Sequence, residues 1–166
     1  MSIKAVVADI GERSWAGWVT LVARLVLGGS MFYAGALKIG NLKQSVTAVE
    51  AYQLPFPDWF EKLVGYCLPV FELVVGAAVI LGLFTRWTSV LLSLLLVAYI
   101  IGLSQAMARG LQIDCGCFTE GGALPDGEES ELGISILRDI GFLAAGVWAI
   151  VWPKSPVSLD KMLFDE

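Results

Sequence analysis

Residues 86–109 read RWTSVLLSLLLVAYIIGLSQAMAR, and no charged side chain falls between the two arginines that bound the stretch. At about 1.5 Å of rise per residue, a helix of this length crosses the roughly 30 Å hydrocarbon core of a bilayer. Gly110 follows, where a helix commonly stops. Beyond it lie Asp114-Cys115-Gly116-Cys117-Phe118 and then an acidic, glycine-bearing segment, before a second apolar run opens near Leu132 and ends at Pro153. Two cysteines one residue apart thus sit in a polar loop between two segments that can span a membrane.

Working outward, the whole chain has the same character. Of its 166 residues, 57% are hydrophobic and 16% charged, and the mean hydropathy of +0.73 lies outside the range of ordinary soluble domains. The reading is an all-α, four-transmembrane-helix bundle forming one integral membrane domain over 1–166, with helices at about 15–37, 58–83, 86–109 and 132–152. Trp15 and Trp18 mark one boundary of helix one, and Phe32 and Tyr33 the other. Its small residues Gly28, Gly29, Gly35 and Ala36 would let a neighbour approach closely.

Between helices one and two, Leu42, Val46, Val49 and Tyr52 recur three or four apart, which predicts a short amphipathic helix at the interface. Pro55 and Pro57 end it, and Asp58 with Glu61 is placed to cap helix two. The tight connection Phe84-Thr85-Arg86-Trp87 makes helices two and three antiparallel neighbours, with Thr85 as N-cap. The polar start, with Lys4, Asp9, Glu12 and Arg13, precedes a long apolar run without a small-residue cleavage site, so no cleaved signal peptide is expected.

Composition also excludes functions. The net charge of −5 leaves no basic surface for phosphates, so nucleic acid is not a partner. The absence of histidine removes histidine-based haem or zinc ligation and Ser-His catalysis. What remains are thiols, carboxylates, lysines, arginines, tyrosines or a bound cofactor. The Cys115–Cys117 pair can pass from dithiol to disulfide without recruiting another chain, and Gly116 gives the backbone the freedom to make the turn that closure needs; the bland alternative is a structural turn with free thiols. A soft-metal site would want more ligands than the loop offers, and no metal is assigned. Asp114 disfavours the thiolate, whereas Arg109, Lys38 or Arg138 would favour it if close.

Cys67, near the same end of helix two, is a candidate third thiol for a relay; its bland alternative is a small buried apolar residue. Arg24 and Glu72 are charges at bilayer depth, which normally pair or line a functional cavity, so an Arg24–Glu72 ion pair is predicted. It would either lock the bundle or help bind a quinone or thiol substrate. Arg138 and Asp139, early in helix four, should bond separate partners because adjacent helical residues point differently, Arg138 reaching toward the cysteine loop or Glu72. Tyr52 and Lys38 border the same region, or serve simply as interfacial anchors.

Charge places the N-terminus only weakly, with Lys4, Arg13, Arg86, Lys154 and Lys161 on its side against Lys38, Lys43, Lys62 and Arg109. Disulfide chemistry favours the oxidising face, so the cysteine loop is expected outside and both termini in the cytoplasm of a prokaryotic inner membrane.

These residues together resemble a known family, the DoxX-like membrane proteins and within them the MauE branch. The resemblance is carried by Arg24, Gly28, Phe32, Ala34-Gly35 and Lys38, by Tyr52 and Leu54-Pro55, and by Pro69, Glu72 and Gly76. Leu81-Gly82, Arg86, Cys115-Gly116-Cys117-Phe118 and Arg138-Asp139 complete it. It implies a four-helix redox-maturation protein with Cys115 and Cys117 as the exchange pair and Arg24, Glu72 and Arg138 as the buried polar set. It also implies a thioredoxin-like exported partner or other redox subunits, and a membrane quinone as the candidate cofactor. Thr119 stands where the family commonly has glycine.

The function expected is therefore disulfide exchange at the outer face, by a thiol-disulfide oxidoreductase or accessory redox subunit embedded in lipid. The alternative is a non-catalytic membrane scaffold subunit of a larger redox or respiratory complex. Small-solute transport is disfavoured because four helices leave little room for a path.

Overall fold

The computed structural model describes residues 14–116, 121–124 and 131–153. Helix α1 spans Ser14–Ile39, the short α2 Leu42–Glu50, α3 Asp58–Leu81, α4 Thr85–Ala108 and α5 Leu132–Val151. A two-residue strand β1, Ile113–Asp114, pairs antiparallel with β2, Gly122–Ala123, between α4 and α5. Four of the helices, all but α2, are long and apolar enough to cross a membrane. Large apolar side chains such as Val22, Val74, Leu94, Ile101 and Leu137 point outward, the arrangement a lipid solvent selects. The protein is a multi-pass membrane protein with an interfacial helix after helix one.

The bundle is built from two helix pairs, α1 on α3 and α4 on α5. In lipid, helices associate by close packing rather than by hydrophobic exclusion, so small residues set where they touch. A Cβ on Gly35 would lie 2.7 Å from Leu73 N and Pro69 O, and one on Gly76 would lie 2.6 Å from Phe32 N. The α1 and α3 backbones are therefore in direct contact along antiparallel stripes. In the second pair a Cβ on Gly146 would lie 2.5 Å from Ser93 Oγ. Leu27, Met31, Val75, Val79, Leu92 and Leu96 form the apolar core where the pairs meet.

Two expected caps differ. Helix α3 is entered from Pro57 with no side-chain cap, and α4 from Phe84, a left-handed residue (φ 48°), so neither Asp58 nor Thr85 acts as the N-cap. The three-residue connection between α3 and α4 is instead fixed by the end of α3. Gly82 adopts φ 73°, its N–H donates to Val79 O (3.2 Å) and that of Leu83 to Ala78 O (2.9 Å), the double bond that closes a helix on a left-handed glycine. Gly110 closes α4 in the same way (φ 67°), with Leu111 N–H donating to Ala106 O at 3.0 Å.

At the opposite end of the bundle from the cysteine loop, Trp148 Nε1 donates to Thr20 Oγ1 (3.2 Å), Thr20 donates to Trp152 O (2.8 Å), and Trp15 stacks near Trp148. This ties α1 to α5. Replacing Gly76 by alanine should lower thermal stability by about 1–3 kcal/mol through overpacking, while Gly29→Ala, whose Cβ meets nothing within 4 Å, should be neutral. Thermal unfolding of the detergent-solubilised variants checks the contrast.

Candidate functional site

The described residues of the cysteine loop are held by local hydrogen bonds. Its β1–β2 ladder pairs Ile113 with Ala123 and Asp114 with Gly122, and Leu124 N–H donates to Gln112 O at 3.0 Å. Gly116 turns at the position where a turn was expected, in the left-handed region (φ 66°), and its N–H donates to Asp114 Oδ1 (3.4 Å). Gly121 lies directly against it, since a Cβ there would fall 2.7 Å from Gly116 Cα and 2.9 Å from Ala48 Cβ. The loop is thus seated on α2, and Gln44 Nε2 adds a bond to Gly121 O (3.3 Å). Cys117, the second sulfur of the motif, lies outside the described residues.

Cys115 is half-buried beside the cluster of Leu103, Ala106, Ile113 and Leu132. Its carbonyl accepts from Tyr52 Oη (3.1 Å), and its Sγ accepts from the Arg138 guanidinium (3.5 Å). Arg138 is held in turn by Asp139, whose Oδ1 takes bonds from Nε (3.1 Å) and a terminal nitrogen (3.0 Å). The expectation of separate partners for these neighbours is therefore corrected. The flexible arginine curls back onto the adjacent carboxylate, which is 2% exposed, because a buried carboxylate needs a donor more than a half-exposed arginine needs solvent. Arg138 does reach the cysteine loop, as the sequence suggested.

Among the described residues, Arg109 bonds the end of the α2 connection and not Cys115. Its guanidinium donates to Gln53 O (2.8 Å) and Gln53 Oε1 (3.3 Å), holding the left-handed Gln53 (φ 46°) at the end of the α2 connection.

The predicted Arg24–Glu72 ion pair is not formed. Glu72 is 1% exposed and paired with Lys38, whose Nζ lies 2.9 and 3.1 Å from its two oxygens, and it also accepts from Tyr99 Oη. Arg24 donates to Val79 O (3.0 Å) and Ile80 O (2.9 Å), the final carbonyls of α3, where the negative end of the helix dipole supplies partial charge. The reason is geometric. Gly28 faces Gly76 and Ile80 while Gly35 faces Pro69 and Leu73, so Glu72 is level with about Ala34, roughly 15 Å along the axis from Arg24. Side chains also lean toward their own helix N-terminus, which in an antiparallel pair tilts Arg24 and Glu72 apart and brings Lys38 and Glu72 together. Tyr99, the third member of the cluster, was not singled out from sequence. Its signal was a lone phenol in the otherwise aliphatic run Leu94–Ile101.

Between α3 and α4, beneath α2, lies a cavity of about 200 Å³. Leu68, Leu95 and Ala98 line its apolar walls, Lys38 and Tyr99 supply a polar wall, and Tyr52, Cys115 and Gly116 face it from the α2 and loop side. The geometry thus brings Lys38, Tyr52 and Cys115 to one chamber, with Glu72 just behind Lys38. Arg24 is at the far end of the bundle. Cys67 is exposed on the outer face of α3 and does not line the cavity.

The family model described as Methylamine utilisation protein MauE matches residues 16–152. The chain belongs to the MauE family. That match covers all four spanning helices, α2 and the cysteine loop. No curated protein and no solved structure matches the chain.

Two substitutions test this polar architecture. Lys38→Met strands a buried carboxylate and should destabilise the protein by about 3–5 kcal/mol, most of which is recovered when Glu72→Gln is added; unfolding of both variants in detergent measures it. With Cys67→Ala and Cys117→Ser leaving one thiol, Arg138→Gln should slow alkylation of Cys115 by roughly tenfold, the weight of one charge-assisted hydrogen bond to a thiolate. A stopped-flow maleimide assay at neutral pH reads that rate.

Proposed function

We propose that this MauE family member is a membrane thiol-disulfide exchange protein acting as an accessory in methylamine utilisation. Its Cys115–Cys117 pair accepts electrons from the thiols of an exported, thioredoxin-like partner and passes them to a quinone in the bilayer. The observation that carries the reading is the Arg138 guanidinium on Cys115 Sγ at 3.5 Å, braced by a buried carboxylate. A cation held on a sulfur favours the thiolate, which is both the attacking and the leaving form in exchange.

In the exchange, a partner thiolate attacks one sulfur of the Cys115–Cys117 disulfide and displaces the other as thiolate, forming a mixed disulfide. The partner's second thiolate then attacks its own sulfur in that mixed bond, releasing an oxidised partner and leaving the dithiol here. Two electrons have moved inward, and two protons balance the thiols. The arginine stabilises the sulfur that departs. In this reading the cysteine loop and α2 face the oxidising side of a prokaryotic inner membrane and the termini face the cytoplasm.

Single-cysteine variants decide between exchange and a purely scaffolding subunit. Cys115→Ser or Cys117→Ser, in a Cys67→Ala background, should trap a reducible mixed disulfide with an exported partner, seen as a band shift on non-reducing gels and identified by mass spectrometry. Both cysteines replaced together should abolish partner oxidation while leaving membrane assembly intact. Loss of assembly with partner oxidation preserved would favour the scaffold.

A further inference from the structure

We infer that the cavity between α3 and α4 is a binding site for a ring-sized, carbonyl-bearing molecule dissolved in the bilayer, of the quinone class; the inference rests on the exchange reading and gives its electron acceptor a place. The size fits. A cavity of roughly 150 Å³ accepts benzene, and this one, at about 200 Å³, holds one substituted six-membered ring.

The chemistry of the walls fits as well. An ammonium has three donors; two of those on Lys38 are taken by the two Glu72 oxygens, which leaves one N–H for a carbonyl oxygen in the chamber that Lys38 lines. Leu68, Leu95 and Ala98 supply apolar surface for the ring. Cys115 faces the same chamber, so electron donor and acceptor share one compartment.

The balance closes without another reagent. Forming the Cys115–Cys117 bond from the dithiol releases two electrons and two protons, which are those that convert a quinone to its hydroquinone. Protons at the carbonyl end are handled by Lys38, Glu72 and Tyr99, a connected set of one ammonium, one carboxylate and one phenol.

A protection assay on full-length protein in detergent tests the site independently of exchange. With Cys67→Ala and Cys117→Ser, no internal disulfide can form and, in purified protein without a partner, Cys115 is the sole reporter thiol. A fully substituted short-chain ubiquinone, with no ring position open to thiol addition, should slow maleimide labelling of Cys115 saturably by about tenfold or more. Gly102→Leu grows a side chain into the chamber from a site where a Cβ meets only the Tyr52 ring, at 3.6 Å, and should raise the half-protecting concentration at least tenfold. Ala98→Met serves the same purpose should that variant not fold. Lys38→Met with Glu72→Gln should weaken protection while retaining the fold.

No protection at any ubiquinone concentration, or equal protection by a decyl alcohol that lacks a ring, would overturn the site and assign the chamber to an acyl chain. Mixed disulfides trapped as above, with no protection, would leave exchange standing and this inference alone refuted. Protection without trapped partners would do the reverse.

Discussion

The contact on which the rest depends is the backbone approach of α1 and α3 at Gly28, Gly35 and Gly76. Lipid offers no hydrophobic drive to bring helices together, so stability must come from surfaces that fit. Here the fit is tight enough that a single Cβ would overlap the neighbouring backbone. It fixes the register of the pair to within a residue, and that register decides which charges can meet. Lys38 meets Glu72 near the cysteine end, and Arg24 meets the carbonyl terminus of α3 near the other. Each is a solution to the same problem, a charge at a depth where water cannot solvate it.

That is also why the sequence was legible in some respects and not others. Long uncharged runs, interfacial aromatics and the 3.6-residue spacing of Leu42, Val46 and Val49 are one-dimensional signals, so four spanning helices and an amphipathic one between the first two could be read directly. Pairing Arg24 with Glu72 required knowing the axial offset of two helices to a few ångströms. Counting residues from assumed boundaries does not give it, because the offset is set by where the glycines lock. Tyr99 was overlooked for a related reason. A phenol in an aliphatic helix gains meaning only when Glu72 of another helix lies opposite. The caps at Asp58 and Thr85 failed because Pro57 and a left-handed Phe84 already determine how the chain enters those helices.

The spacing of Cys115-Gly116-Cys117 draws the eye to this loop in the sequence, and the glycine was expected to turn, as Gly116 does. Its seating was hidden in residues with no chemical signature, Gly121 and Ala48, whose small size lets loop and α2 touch. Arg138 reaches Cys115 in a loop that these contacts seat on α2. A bulkier residue at 48 or 121 would lift the sulfur from its cation, so residues without reactivity of their own set the reactivity of the thiol.

The cavity follows from the way the bundle is paired. The three-residue turn at Gly82 holds α3 and α4 together at one end, yet their main partners are α1 and α5 respectively, and at the other end α2 packs on α3. Val46 of α2 packs on Gly65, where a Cβ would come within 2.6 Å of its Cα, while the ring of Tyr52, just beyond α2, rests beside Gly102 of α4. Ser45, Ala48 and Val49 of α2, with Tyr52, therefore cover the cavity between α3 and α4. The same Tyr52 donates its hydroxyl proton to Cys115 O, so roof and thiol are one mechanical unit. The chamber between α3 and α4 has Lys38 on one wall and Tyr52, Cys115 and Gly116 on the side of α2 and the loop. The residue that bears the thiol is thus held by the same segment that covers the cavity.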